Sequence, residues 1–172
     1  MINPKMETLL NEQFHREMYS AMQYLAVTSW FEDQNLDGFA NFFRIQAQEE
    51  MSHAMKQFDY LHTVGGKITM QAIQQPTTDF DNNVQVFEFA LQQEVGVTEN
   101  INKLMTAAVK LGDFATQTFL QWFVQEQVEE EDLVRTILHK VKMIEGNSSA
   151  LFLLNEELKN RRPEAEVDGA GL

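Results

Sequence analysis

Long stretches without a helix breaker constrain the fold of this chain more than any other feature. Among 172 residues there are only three prolines and eight glycines, so long stretches run without a breaker. Asn3-Pro4 marks a start, with proline at an early helical position. The first helix is expected to run from there to about Gln34 and to end in Asn35-Leu36-Asp37-Gly38. A second covers roughly 38–64 and stops at Gly65-Gly66, a C-terminal cap signal. Residues 65–82 have no periodic pattern and contain Pro76-Thr77-Thr78-Asp79. A third helix is expected over about 83–110, stopping near Gly112, and a fourth over about 114–145, ending at Gly146. A short fifth, about 148–159, carries Ala150-Leu151-Phe152-Leu153-Leu154. The final RRPEAEVDGAGL, residues 161–172, has the composition of a disordered tail.

Helices of about 27–32 residues are roughly 40–48 Å long. Their joins are short, long, short. A short join forces antiparallel neighbours, whereas a link of about 18 residues can travel the length of a bundle, so the second and third helices can run parallel. The expected fold is all-α: a four-helix bundle over residues 1–160, with a long crossover between the second and third helices and a short fifth C-terminal helix.

The balance of 13 basic against 26 acidic residues, a formal charge of −13, argues against nucleic acid and anionic membranes as partners and favours cations. Cysteine is absent, which excludes disulfides, thiolate zinc sites and iron–sulfur clusters. The start MINPKMETLLNEQF lacks the apolar core of a signal peptide, and no run approaches membrane-spanning length. A cytoplasmic location is the expectation.

Positions seven or eleven apart on a helix lie within about 20° of one another. By that rule Glu17 shares its azimuth with Leu10, Tyr24 and Phe31, and Glu50 with Phe43 and Leu61. Glu94 aligns with Phe87, Ile101 and Met105; Glu130 aligns with Phe119, Phe123, Ile137 and Val141. Gln127 shares a stripe with Leu120, Val134 and Leu138. Each long helix thus places one carboxylate in the apolar stripe it should bury. An unpaired buried carboxylate costs several kcal/mol, and these stripes hold no Lys or Arg near the acids. A bound metal supplies the missing charge. His53 lies one turn beyond Glu50, and carboxylates with a single imidazole suit iron or manganese, with room for zinc. Four carboxylates point to two ions with a bridging ligand. Glu49 is rotated about 100° from Glu50 and is a surface acid or an auxiliary ligand. His15, His62 and His139 lack an acid constellation, and the nine methionines are expected to fill the core.

LNEQF near the start, AQEEMSH, and FLQWFVQEQVEEE together resemble a bacterial-type non-haem ferritin, within the ferritin-like di-iron carboxylate family. The resemblance covers about residues 1–160 and implies a ferroxidase: an enzyme that oxidises Fe²⁺ with O₂ or peroxide and stores Fe³⁺ as mineral in a hollow homo-oligomer of twenty-four subunits. By the same resemblance Glu17, Glu50 and His53 hold one iron. Glu94 and Glu130 hold the other, with Glu50 bridging and Gln127 beside it. A third iron position is implied at Glu49, Glu126 and Glu129, sharing Glu130. Tyr24 is either a hydrogen-bonding or electron-donating partner of the centre or a packed core tyrosine. Gln127-Val128-Glu129-Glu130 departs from the repeated Glu-x-x-His of bacterioferritins, and no haem is expected; Met51 is assigned to core packing. The stretch Thr116-Gln117-Thr118-Phe119-Leu120-Gln121 lacks the acids of an animal-type three-fold entry channel, with Asp113 nearest, and leaves the iron entry route open. The competing class is a di-metal carboxylate oxidase or oxygenase acting on an organic substrate.

Overall fold

The computed structural model describes residues 2–163. Five helices appear in the order α1 Pro4–Asp33, α2 Asp37–Thr63, α3 Asn83–Leu111, α4 Phe114–Met143 and α5 Ser148–Lys159, and no strand is present among the described residues. The ends follow from local chemistry. Asn3 accepts from the Lys5 amide ahead of Pro4, Asn82 caps α3 through Gln85, and Asp113 caps α4 through Thr116. Gly112 takes a left-handed conformation (φ 64°), the geometry that lets α3 stop at Leu111 and α4 begin at Phe114. Expected and observed boundaries agree to within about two residues.

α1 and α2 are antiparallel: Ile2 at the start of α1 donates to the Val64 carbonyl just past the end of α2. The crossover then returns along α1. Lys67 N donates to Glu7, Asn11 bonds both the Lys67 carbonyl and the Thr69 amide, His15 accepts from Gln71 N, and Gln23 bonds the Thr77 amide and carbonyl. Residues 7, 11, 15 and 23 shift gradually around α1, so one helix satisfies the backbone of an extended strap that winds along it. The strap delivers the chain to the far end of α1, where Trp30 meets Phe80 at 5.9 Å and α3 begins. Hence α3 runs parallel to α2, and α4 returns antiparallel to α3, as expected from the link lengths.

The buried apolar residues form two clusters rather than one. One holds Tyr24, Phe31, Phe39, Phe43, Phe87, Val134 and Ile137; the other holds Met6, Leu10, Leu61, Ile101, Leu120 and Phe123. Along every long helix the inward acid lies between a member of the first cluster and a member of the second. α5 lies across the end of the bundle with Leu154 and Leu158 in the first cluster.

The methionines correct the sequence reading. Met6 is fully buried, whereas Met22, Met51, Met55, Met70 and Met143 are exposed, Met51 at 37%. Bulky aromatic rings fill the core, and the unbranched thioether is used on the surface instead. The expected tail is only partly described. Arg161 is packed against α2, and residues 164–172 lie outside the described residues.

Candidate metal centre

The helical period that buries Leu10, Phe43, Phe87 and Phe123 carries the acids inward with them. Glu17, Glu50, Glu94 and Glu130 are between 0% and 5% exposed, and His53 and Gln127 are equally withdrawn from water. Ligand atoms of Glu17, Glu50 and His53 lie within 4.8 Å of one another, and those of His53, Glu126 and Glu130 do the same. His53 links the two groups: Nδ1 is 3.9 Å from Glu50 Oε2 and Nε2 is 3.6 Å from Glu126 Oε1. Its ring is wedged edge-on against Trp122 and Phe123, at 5.3 and 6.0 Å. Glu94 stands on the other side, accepting from the Tyr24 hydroxyl at Oε1 and from Gln127 Nε2 at Oε2, 3.3 Å away.

Each acid is compensated differently. Glu17 Oε1 accepts from two buried amides, Gln13 Nε2 at 2.9 Å and Gln57 Nε2 at 3.1 Å. Gln46 Nε2 donates to Glu130 Oε2 at 2.6 Å. Glu17 Oε2 and Glu50 Oε2 have no hydrogen-bond partner, although both are buried. Two carboxylate oxygens left open beside an imidazole fit a hard divalent cation, and such orphaned acceptors cost the fold free energy when nothing binds them.

The electrostatics agree. Burial, reinforced by the charges of Glu94 and Glu17, pushes the Glu50 carboxyl well above its ordinary range. Burial raises Glu94 to about 6 against the pull of the Tyr24 and Gln127 hydrogen bonds. Burial and the charges of Glu94 and Glu49 raise Glu130 to about 8. For His53 burial favours the neutral ring, but the Glu126 hydrogen bond and the charges of Glu17 and Glu130 outweigh it and raise the imidazole. The Tyr24 phenol is held well above its usual value by burial and by Glu94, so it keeps its proton and donates it to that acid.

The remaining acids are placed less uniformly. Glu126 is partly buried against His53, and Glu129 is exposed. Glu49 is neither a free surface acid nor a member of the buried set, because Arg161 Nη2 donates to its Oε2 at 3.1 Å. His15 is tied to the crossover, and His62 and His139 are exposed.

Residues 7–144 match the ferritin-like domain. The chain belongs to the ferritin family. It is 38% identical over 160 residues to the bacterial non-heme ferritin of Campylobacter jejuni, covering 93% of this chain and 96% of that one. It is likewise 38% identical to the bacterial non-heme ferritin of Staphylococcus saprophyticus, over 94% of this chain and 96% of the other. A crystal structure of an open pore ferritin from the hyperthermophilic archaeon Archaeoglobus fulgidus superposes with a TM-score of 0.93 at 41% identity, covering 94% of this chain and 99% of that one.

Within this ferritin-family centre, sequence reasoning missed the amides that hold the acids. Of the buried glutamines, the azimuth rule was read only for Gln127. Applied to the others, it places Gln46 and Gln57, eleven apart, on the stripe of Glu50, and Gln13 on that of Tyr24. Arg161 had no such signal: it is 112 residues from Glu49 and follows the last helix.

Proposed function

We propose that this chain oxidises Fe²⁺ with O₂ at the buried carboxylate centre and stores the Fe³⁺ product as mineral in a hollow shell of twenty-four copies. The observation that carries the reading is the convergence of Glu17, Glu50 and His53, all buried, on one point within the bundle. Glu17, Glu50 and His53 hold one iron; Glu94 and Glu130 hold the second, with Glu50 between them and Gln127 alongside. Glu49, Glu126 and Glu129, with Glu130, serve a third. Each Fe²⁺ gives up one electron and O₂ takes the pair. Tyr24 and Gln127 fix Glu94 from two sides, and the apolar clusters above and below keep bulk water from the acid layer. Carboxyls that hold protons when no cation is bound release them as iron enters, so the charge of the pocket changes little on loading.

Storage requires copies of the chain around a cavity. Phe152 and Leu153 of α5, 62% and 68% exposed, supply an apolar face for contact between copies. Cytoplasmic storage and detoxification of iron are the corresponding roles. The test is aerobic addition of Fe²⁺ to the purified protein, with oxygen uptake, iron retained per chain and particle mass followed together. A large particle that consumes oxygen and retains many irons per chain is the expected result. A small particle that oxidises little iron overturns the reading. Glu50→Ala and His53→Ala should each slow the fast oxidation phase while leaving particle mass unchanged, and an initial rate equal to the parent in both would remove the centre from the mechanism.

A further inference from the structure

Past the end of α5 the chain does not leave the bundle. Asn41 Nδ2 donates to the Leu158 carbonyl at 3.0 Å and the Arg161 carbonyl at 3.3 Å. The Arg161 guanidinium lies over the Phe42 ring, 4.6 Å from its centroid, and its Nη1 donates to the Phe42 carbonyl at 3.3 Å. Its Nη2 then reaches Glu49 Oε2 at 3.1 Å, with the two side chains only 16% and 14% exposed. Asn41 holds the strap by its backbone, and the Phe42 contacts are made by the same guanidinium that reaches Glu49. The contact with Glu49 does something else: it brings a cation to the edge of an acid layer whose own helices supply none in their inward stripes.

We infer that Arg161 is a tethered counter-cation that competes with metal for Glu49 and thereby sets the occupancy of the third metal position. The inference rests on the metal-centre reading above. The Glu49 carboxylate that would ligate a cation there already accepts from the guanidinium through Oε2. A charge-assisted bond withdrawn from water is stronger than a surface ion pair, so a cation must displace it before Glu49 can ligate. Glu17 and Glu50 each keep one oxygen without any hydrogen bond to displace. The third position is therefore the weakest and the last to fill. Displacement also loosens the strap, because the guanidinium that leaves Glu49 is one of the two groups, with Asn41, that hold residues 160–163 to α2. By linkage, a cation that loosens the strap binds more tightly when the strap is already loose.

The experiment is calorimetric titration of the assembled protein with Zn²⁺, which is redox-inert, paired with hydrogen exchange of the segment 156–163. The parent should show two tighter binding events per chain and a weaker third. Arg161→Gln should strengthen the third event by on the order of tenfold and leave the first two within about twofold. Arg161→Lys, which keeps the charge but loses the fork, should strengthen it less. Adding Glu49→Gln to Arg161→Gln should abolish the third event. In the parent, exchange of 156–163 should accelerate only as Zn²⁺ passes two equivalents, a readout that needs no variant and decides the matter if Arg161→Gln does not fold. A third event unchanged in Arg161→Gln, or a strap equally protected at every Zn²⁺ level, overturns the role of Arg161 and leaves the buried centre standing. Loss of the two tighter events from the parent overturns the centre itself and this inference with it.

Discussion

On the proposed reading, Glu17 shows how a single residue is prepared for a cation. Two amides hold one of its oxygens and leave the other open, which restricts it to ligation through that second oxygen. Gln57 contributes a donor but also buries an unpartnered carbonyl oxygen, Oε1. Replacing it by leucine removes both, and the losses offset: Gln57→Leu should change stability by less than about 1 kcal/mol while weakening Zn²⁺ binding several-fold. Urea denaturation and calorimetry separate the two effects, and a large stability loss with unaltered affinity would make Gln57 a scaffold residue only. The titrating groups give a second prediction. Glu94 and Glu130, at about 6 and about 8, bind protons in the folded chain at pH values where an unfolded carboxyl, near 4.5, has lost them. The folded state then holds more protons, so stability must fall as pH rises between those values. The raised His53 acts in the same direction, contributing stability below its unfolded value of 6.5 that is lost as pH passes its folded one. The metal-free melting temperature should therefore decline from pH 5 to 8, and excess Zn²⁺ should reverse the decline. A flat or rising metal-free profile would contradict the buried-acid electrostatics.

At the level of elements, α2 is capped from outside its own sequence. Leu36 precedes the helix and offers no side-chain hydrogen bond. Asn155 of α5 supplies it instead, accepting from Gly38 N at 2.9 Å and Phe39 N at 3.3 Å while donating to Asp37 at 3.0 Å. The two helices approach so closely that a Cβ on Gly38 would sit 1.7 Å from the Asn155 carbonyl oxygen. Glycine is required there for space, not for backbone freedom. Asn155→Ala should cost about 1–2 kcal/mol, the range for a lost N-cap, measured by denaturant unfolding. Gly38→Ala should displace α5 altogether, seen as fast hydrogen exchange across 148–159. Slow exchange there in Gly38→Ala would mean that α5 is held by Leu154 and Leu158 alone.

For the whole molecule, placing the acid layer between two apolar clusters separates chemistry from assembly. Glu17, Glu50 and His53 meet within one chain, whereas the exposed face of α5 is not covered by the bundle that carries it. Phe152→Glu combined with Leu153→Glu should lower particle mass, measured by light scattering, and reduce iron retained per chain. The initial rate of Fe²⁺ oxidation should stay near that of the parent. A full-sized particle from the double variant would locate the contact between copies elsewhere.

Much of this was legible in the chain itself, because helical periodicity is a local rule. The lengths of four helices, the parallel pair joined by a crossover, and the inward direction of Glu17, Glu50, Glu94, Gln127 and Glu130 follow from breakers, link lengths and a turn of about 100° per residue. What periodicity cannot supply is the partner across the bundle. That Gln57 serves Glu17 on another helix, that Tyr24 donates to Glu94, and that Asn155 caps a helix more than a hundred residues earlier are long-range pairings that depend on packing. Composition misplaced the methionines for a related reason: hydropathy says which side chains prefer burial, while the volume left by the aromatic rings decides which are buried. Arg161 is the clearest case. Its sequence surroundings describe a solvated tail, and only the fold, by laying the end of α5 across Asn41 and Phe42, brings its charge to Glu49. Direction along a helix is set by the residues of that helix, whereas the charge a buried acid meets is set by whatever the rest of the chain packs against it.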